Sequence, residues 1–377
     1  MPQIQHLPVA PIPELDEWTR QLEAVAKNPL EFCEDFPAIA GRFEAWWNHD
    51  VDDRPIFLGT ANTNPARPIT RRLDLLTNPS AWFDAKLADL RQTYYAGDAL
   101  PHIRTDFGPV LLGGMLGGHL EFGADTGWTK AFIDDNWSNA PDWRLEGSNP
   151  WWRLLRELTN MVARDAAGRY LVCSPDLGAS ADVLLNLRGS QQLCMDVMVN
   201  PDLVRMTADA IYPAWWDAFT CLYRDCLPHG AGLIHWLWIW SNRPYHIPAC
   251  DFNFMIGPEQ FNSVCLPDIA RQAATVDRAV FHLDGPGAAR HIDALLEVSS
   301  IQAIQFTPGE GTPSALAWAP MLKKIQEKGR SLYIFCPANE VLELCNVLSP
   351  KGLAIALSTP LSPEALAELF ESFRTIW

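Results

Sequence analysis

The sequence predicts an α/β protein built as a (β/α)₈ barrel, and three observations carry that prediction. Short uninterrupted apolar runs, at 279–283, 301–306, 331–336 and 352–357, alternate with helix-periodic stretches. Strands that are apolar throughout belong to a parallel sheet covered by helices on its faces. About eight such strand–helix units fit the 377 residues, the number that closes a barrel. The runner-up, a doubly wound open sheet that binds nucleotides, lacks its phosphate loop: no G-x-G-x-x-G follows the first strand and no G-x-x-x-x-G-K-[ST] occurs.

Along the chain, Leu15, Trp18, Leu22 and Val25, then Phe43, Trp46 and Trp47, fall at helical spacing within 14–48. They form an N-terminal helical extension (1–50) ahead of a single barrel domain (51–377). Residues 54–59 read as the first strand, ending at Asn62, and 79–95 as a helix with Asn78 at its cap and Pro79 in its first turn. Residues 97–150, rich in glycine, aspartate and tryptophan, read as an irregular insertion. So long a loop is either a wall of the substrate site or a peripheral excursion. Helix 150–167 then leads to strand 169–174, helix 180–188 follows, and helix 201–225 leads to a strand-like run at 232–238. Helix 258–276 leads to strand 279–283, helix 287–296 to strand 301–306, helix 314–328 to strand 331–336, and helix 339–347 to strand 352–357. Helix 363–375 closes the chain.

Composition narrows the function. With 29 Lys and Arg against 45 Asp and Glu, the net charge of −16 repels phosphate backbones and anionic membrane surfaces, so neither nucleic acid nor membrane is an expected partner. The longest apolar stretches are too short to span a bilayer, and no secretory signal is legible at the N-terminus. Nine singly scattered cysteines without a CxxC suit free thiols in a cytoplasmic protein. Sixteen tryptophans exceed what a core of this size requires, so some are expected to line a pocket for a small molecule.

In a barrel the reactive groups sit at the C-terminal strand ends. The most informative of these is Phe281-His282-Leu283-Asp284-Gly285-Pro286. His282 and Asp284 are two apart on a strand and share a face. An imidazole beside a carboxylate binds a metal or passes a proton, the structural alternative being a buried histidine satisfied by its neighbour. His282, Asp284 and Cys336 make a chemically reasonable Zn²⁺ set, with Glu310 or His235 as substitutes. Without a metal, His282 or Asp284 acts as general acid or base, and Glu310 is a further catalytic candidate. Asn62, Asp176, His235 and Trp238 are candidate substrate contacts. Asp251 is another, its alternative being a structural role in the loop before a helix. Arg67 and Arg243 are either holders of an acid substrate or surface ion-pair residues.

Several segments resemble the uroporphyrinogen decarboxylase superfamily, which includes the corrinoid-dependent methyltransferases. They are Asp53-Arg54-Pro55-Ile56, Cys173-Ser174-Pro175-Asp176-Leu177-Gly178, Met255-Ile256-Gly257-Pro258-Glu259-Gln260-Phe261, Leu266-Pro267 and the His282 strand with Gly285. The resemblance spans roughly 40–375 and implies a (β/α)₈ barrel with a cleft at its C-terminal face. The arginine-rich turn of the decarboxylases is replaced by Gly59-Thr60-Ala61-Asn62-Thr63-Asn64, which leaves a porphyrinogen carboxylate without its cations. The methyltransferases' H-x-C becomes His282 and Asp284, and Ser358-Thr359 stand where they carry a later cysteine. Exchanging thiolate for carboxylate hardens the site and favours an oxygen substrate over a thiol. The resemblance therefore implies methyl transfer from a small oxygenated or aromatic compound to a corrinoid protein, with corrinoid met only through that partner. A metal-free decarboxylase or lyase acting on a small acid is the second expectation, and a non-catalytic binding barrel the third.

Overall fold

Twelve strands organise the described chain. They are β1 (Ile56–Asn62), β2 (Thr93–Gly97), β3 (His102–Arg104), β4 (His119–Phe122), β5 (Gly127–Lys130), β6 (Leu171–Cys173), β7 (Leu233–Ile234), β8 (Tyr245–His246), β9 (Arg278–Asp284), β10 (Ala303–Thr307), β11 (Ser331–Cys336) and β12 (Leu353–Leu357). The structure is a computed structural model, and it describes residues 9, 11–64, 78–105, 107–123, 127–309, 311–312 and 314–377.

Two parallel arcs result. One runs β1-β12-β11-β10-β9-β8, with β2 added antiparallel on the outer edge of β1. The other runs β3-β6-β7, also parallel. The fold is thus α/β with a parallel sheet, as the apolar runs predict. Among the described residues no backbone ladder joins one arc to the other, so a closed eight-stranded ring is not continuous in hydrogen bonds. Strands β9 to β12 are almost wholly buried, which is why their sequences are apolar without alternation.

The elements fall close to their predicted places, with three departures. The helix begun by Asn78, whose side chain accepts from the Ala81 N–H at 3.1 Å, stops at Arg91, and 93–97 turn back as β2. The stretch 97–150 is not irregular throughout: it holds β3, a member of the second arc, and the β4–β5 hairpin. The run 232–238 yields only the two-residue β7, because the Trp238 N–H bonds back to the His235 carbonyl at 2.7 Å and closes a turn.

The helices Leu15–Ala26 and Phe36–Trp47 are present as predicted, and the second packs across the N-terminal ends of the strands. Trp46 donates its indole N–H to the Leu332 carbonyl at 2.9 Å and Trp47 to the Trp240 carbonyl at 2.8 Å. Glu44 receives Arg278, the first residue of β9, through two guanidinium nitrogens at 2.6 and 2.7 Å. Asp98, fully buried beside the start of β1, accepts from Arg42 at 2.7 Å, from Arg54 at 2.6 and 3.0 Å, and from the Phe57 N–H at 3.0 Å. So many charge-assisted bonds satisfy a buried carboxylate. All nine cysteines are free thiols, and among the described residues no helix is long and apolar enough to cross a membrane.

Candidate metal centre

Strand β9 brings His282 and Asp284 to the same face two residues apart, both half-buried. Beyond β8 the chain continues alongside β9: Ala249 bridges His282 in parallel, and the His282 N–H donates to the Pro248 carbonyl at 2.9 Å. Two residues further along each chain come Asp251 and Asp284, so the register sets them side by side. Ligand-type atoms of Asp251, His282 and Asp284 lie within 4.8 Å of one another.

The imidazole is oriented from behind. Strand β10 pairs Gln305 with His282, and the Gln305 Oε1 accepts from the His282 Nδ1–H. Gln305 is itself fixed, fully buried and donating from Nε2 to the Thr307 hydroxyl at 2.8 Å. With Nδ1 committed, Nε2 is the ring nitrogen available to a ligand. The Trp236 ring stands edge-on to His282 with centroids 5.0 Å apart and limits its swing.

The surrounding charge is negative. Burial raises the Asp284 carboxyl, His282 opposes the shift, and Asp251 adds to it. Burial pushes Asp176, just beyond β6, up to about 6, with Asp251 adding like charge and His282 and Arg104 opposing. Asp176 is held in place by accepting the Gly178 N–H at 2.8 Å. Asp182, in the first turn of helix Ser180–Arg188, is driven well up by burial and by Asp251. Its carboxylate accepts the Phe252 N–H at 3.0 Å and so ties down the segment that carries Asp251. Two carboxylates and an imidazole form an oxygen-rich set suited to a hard or borderline divalent cation, and three protein ligands leave a position open.

The other predicted residues are distributed more widely. Cys336 is not part of the three-ligand group; it is fully buried, and burial pushes its thiol up to about 12. Its place is taken by Asp251. His235 is buried with both ring nitrogens engaged, Nδ1 with the Ser174 hydroxyl at 2.5 Å and Nε2 with the Tyr223 hydroxyl at 3.1 Å, and burial depresses it to about 3. It is a neutral member of an internal network. Asn62 accepts the Asn64 N–H at 2.8 Å in a local turn. Arg243 lies 3.9 Å from Asp277, the ion-pair alternative named for it. Glu310 and Arg67 lie outside the described residues.

Trp238 lines a cavity of about 230 Å³ with Thr60, Lys86, Tyr95, His102 and Arg104. Its backbone is left-handed (φ 61°), a costly conformation for a bulky residue and one that concentrates at functional sites. The ring stacks on His102 at 5.9 Å and meets the Phe335 edge at 6.2 Å. Its indole N–H has no hydrogen-bond partner among the described residues. His102, its Nδ1 on the Leu100 carbonyl at 2.7 Å, is pushed down to about 4 by burial and is neutral. Arg104 lines the cavity, and its charge acts on both His102 and Asp176. Asp182, His102 and Arg104 are not apparent from sequence. The signal that would have found the last two is the i, i+2 pair on β3, hidden by reading 97–150 as irregular.

No protein-family model matches this chain, and no curated protein matches it. Among solved structures it is similar to a methyltransferase from Methanosarcina mazei, with a TM-score of 0.55 at 12% identity, over 90% of this chain and 98% of that one. The two share a fold.

Proposed function

We propose that the two parallel arcs are parts of one (β/α)₈ barrel of the uroporphyrinogen decarboxylase superfamily, capped at its N-terminal end by the helices of residues 1–50. In this reading the protein is a cytoplasmic enzyme that moves a methyl group from a small oxygenated or aromatic compound to a corrinoid protein. The observation that carries it is the Asp251, His282 and Asp284 group at the end of β9. The solved methyltransferase of like fold is a weaker, independent support.

Asp251, His282 and Asp284 hold a divalent cation, zinc being the first candidate. When bound, the metal supplies Lewis acidity toward the oxygen that bears the methyl group. The chain's own residues do the rest. Gln305 keeps the His282 Nδ1 protonated and its Nε2 directed outward. Asp176, whose carboxyl burial pushes up, is the nearby group suited to give a proton to the departing oxygen. The cavity beside Arg104, faced by the Trp238 and His102 rings, receives the body of the substrate. A second reading, metal-free decarboxylation or lysis of a small acid, is favoured by the raised Asp176 and Asp284 carboxyls alone.

Elemental analysis of protein purified without chelators separates the two. About one divalent metal per chain, lost in His282→Ala and in Asp284→Ala, is expected for the first reading. Metal-free wild-type protein that also fails to take up added Zn²⁺ or Mn²⁺ excludes it and leaves the second. Methyl transfer itself is read from the absorbance of cob(I)alamin offered as acceptor with methanol or a methoxylated aromatic as donor.

A further inference from the structure

We propose that Gly287 and the Phe254 ring form a latch that fixes Asp251 against His282 and Asp284. The proposal rests on the metal reading for its purpose, though the latch itself is a property of the fold. Two of the three ligands come from one strand, and their separation is set by β9. The third comes from a distinct 3₁₀ segment, Asp251–Met255, and Asp251 itself is exposed. Something must therefore hold that segment to the rim, or the third carboxylate would drift from the pair.

The Ala249–His282 pairing anchors the chain two residues earlier, and three contacts hold the segment itself. Asp182 accepts the Phe252 N–H at 3.0 Å, and the Asn253 carbonyl meets the His291 Nε2 at 2.9 Å. These two tie the backbone of the segment to helix Ser180–Arg188 and to the residue before helix Ile292–Leu296. Only the third contact reaches the short helix Gly285–Ala289 that follows Asp284 directly. There the Phe254 ring lies over two glycines. A Cβ at Gly287 would stand 2.3 Å from Cδ2 and 2.6 Å from Cγ of that ring. Cγ is the inner atom of the ring, so swinging the ring tip does not relieve the clash. At Gly285 the same Cβ would sit 3.6 Å away, an ordinary contact.

Burial does not explain this arrangement, because Phe254 is 49% exposed. Nor does backbone freedom: Gly287 is not among the glycines with positive φ, so alanine there suffers no dihedral strain and gains helix propensity. What Gly287 supplies is the space for Phe254. Both residues are positioning residues, acting on the cation through Asp251.

The test is a double-mutant cycle on the full-length protein with two readouts. Zn²⁺ affinity is measured by competition with a chromophoric chelator, and hydrogen exchange of the amides in 251–256 is followed on metal-free protein. Phe254→Ala is expected to weaken Zn²⁺ by about 3-fold and Gly287→Ala by about 10-fold or more, within the range for residues behind the ligands. Exchange in 251–256 should quicken in the same order. The double variant should match Phe254→Ala alone, because Gly287 then has no ring to accommodate. Additive effects, or unchanged exchange in Gly287→Ala, overturn the latch. Wild-type protein that binds neither Zn²⁺ nor Mn²⁺ yet shows the non-additive exchange pattern keeps the latch and removes the metal reading.

Discussion

The two ends of the strands treat negative charge in opposite ways. At the N-terminal end buried Asp98 is met by the guanidinium groups of Arg42 and Arg54, and half-buried Glu44 by that of Arg278. At the C-terminal end Asp251 and Asp284 sit beside the His282 imidazole, and Asp176 and Asp182 feel the charge of Asp251 from nearby, with Arg104 and His282 opposing the shift at Asp176. Three of these four carboxyls are pushed upward by burial and by one another. The matched end holds the helical cap on the strands. The unmatched end gathers like charge that a bound cation would relieve. An α/β fold can divide its labour in this way, one end of the strands kept for stability and the other for chemistry.

The largest expected effect tests the matched end. Asp98→Ala leaves buried Arg54 and half-buried Arg42 without their acceptor and should cost about 3–5 kcal/mol in urea unfolding. A loss below about 1 kcal/mol would mean that solvent reaches the pair and that this end is not the stabilising one.

The pH dependence of stability tests the unmatched end. Asp176 has its folded value raised to about 6 from the ordinary 3.8. The folded state therefore holds the proton more tightly than the unfolded chain. The stability this gives is complete below the unfolded value and is lost as pH rises through about 6. Metal-free wild-type protein should lose about 1–3 kcal/mol relative to Asp176→Asn between pH 4 and pH 7. Parallel stability curves for the two proteins would show Asp176 to be well solvated. Asp284→Asn should have a smaller effect of the same sign. It removes one of the crowded charges, so the metal-free variant should be more stable than wild type by about 1 kcal/mol at pH 7, while Zn²⁺ affinity falls by at least 10-fold. Equal destabilisation by Asp98→Ala and Asp284→Asn would erase the contrast between the ends.

What could be read from the sequence follows the same division. Strands β9 to β12 are long enough to show as apolar runs, and the polar pair ending β9 stands out against them. Strands β3, β7 and β8 have three, two and two residues. Such segments are strands only because a neighbour pairs with them, and no periodicity can be seen over so few positions. The His282 and Asp284 pair is legible on its strand end; Asp176 and Asp251 are legible as candidates, but not Asp251's place beside that pair. Asp251 reaches His282 through the pairing of Ala249, a tertiary fact without a local signature. Gln305 became meaningful only once the register placed it opposite His282.

Cys336 gives the smallest expected effect and the sharpest check on that lesson. It ends a strand, as His282 and Asp284 nearly do, and its thiol is chemically suited to zinc. Yet the β11 register buries it completely, and desolvation holds it as a neutral thiol far from the ionisation a metal ligand needs. Cys336→Ala should therefore cost about 1 kcal/mol through the lost packing of one buried sulfur. Zn²⁺ affinity should stay within about twofold of wild type, against the 10-fold or greater losses expected at Asp251, His282 and Asp284. A loss at Cys336 as large as at Asp251 would mean that the cation sits deeper between the strands, and that Asp251 is a bystander at their ends.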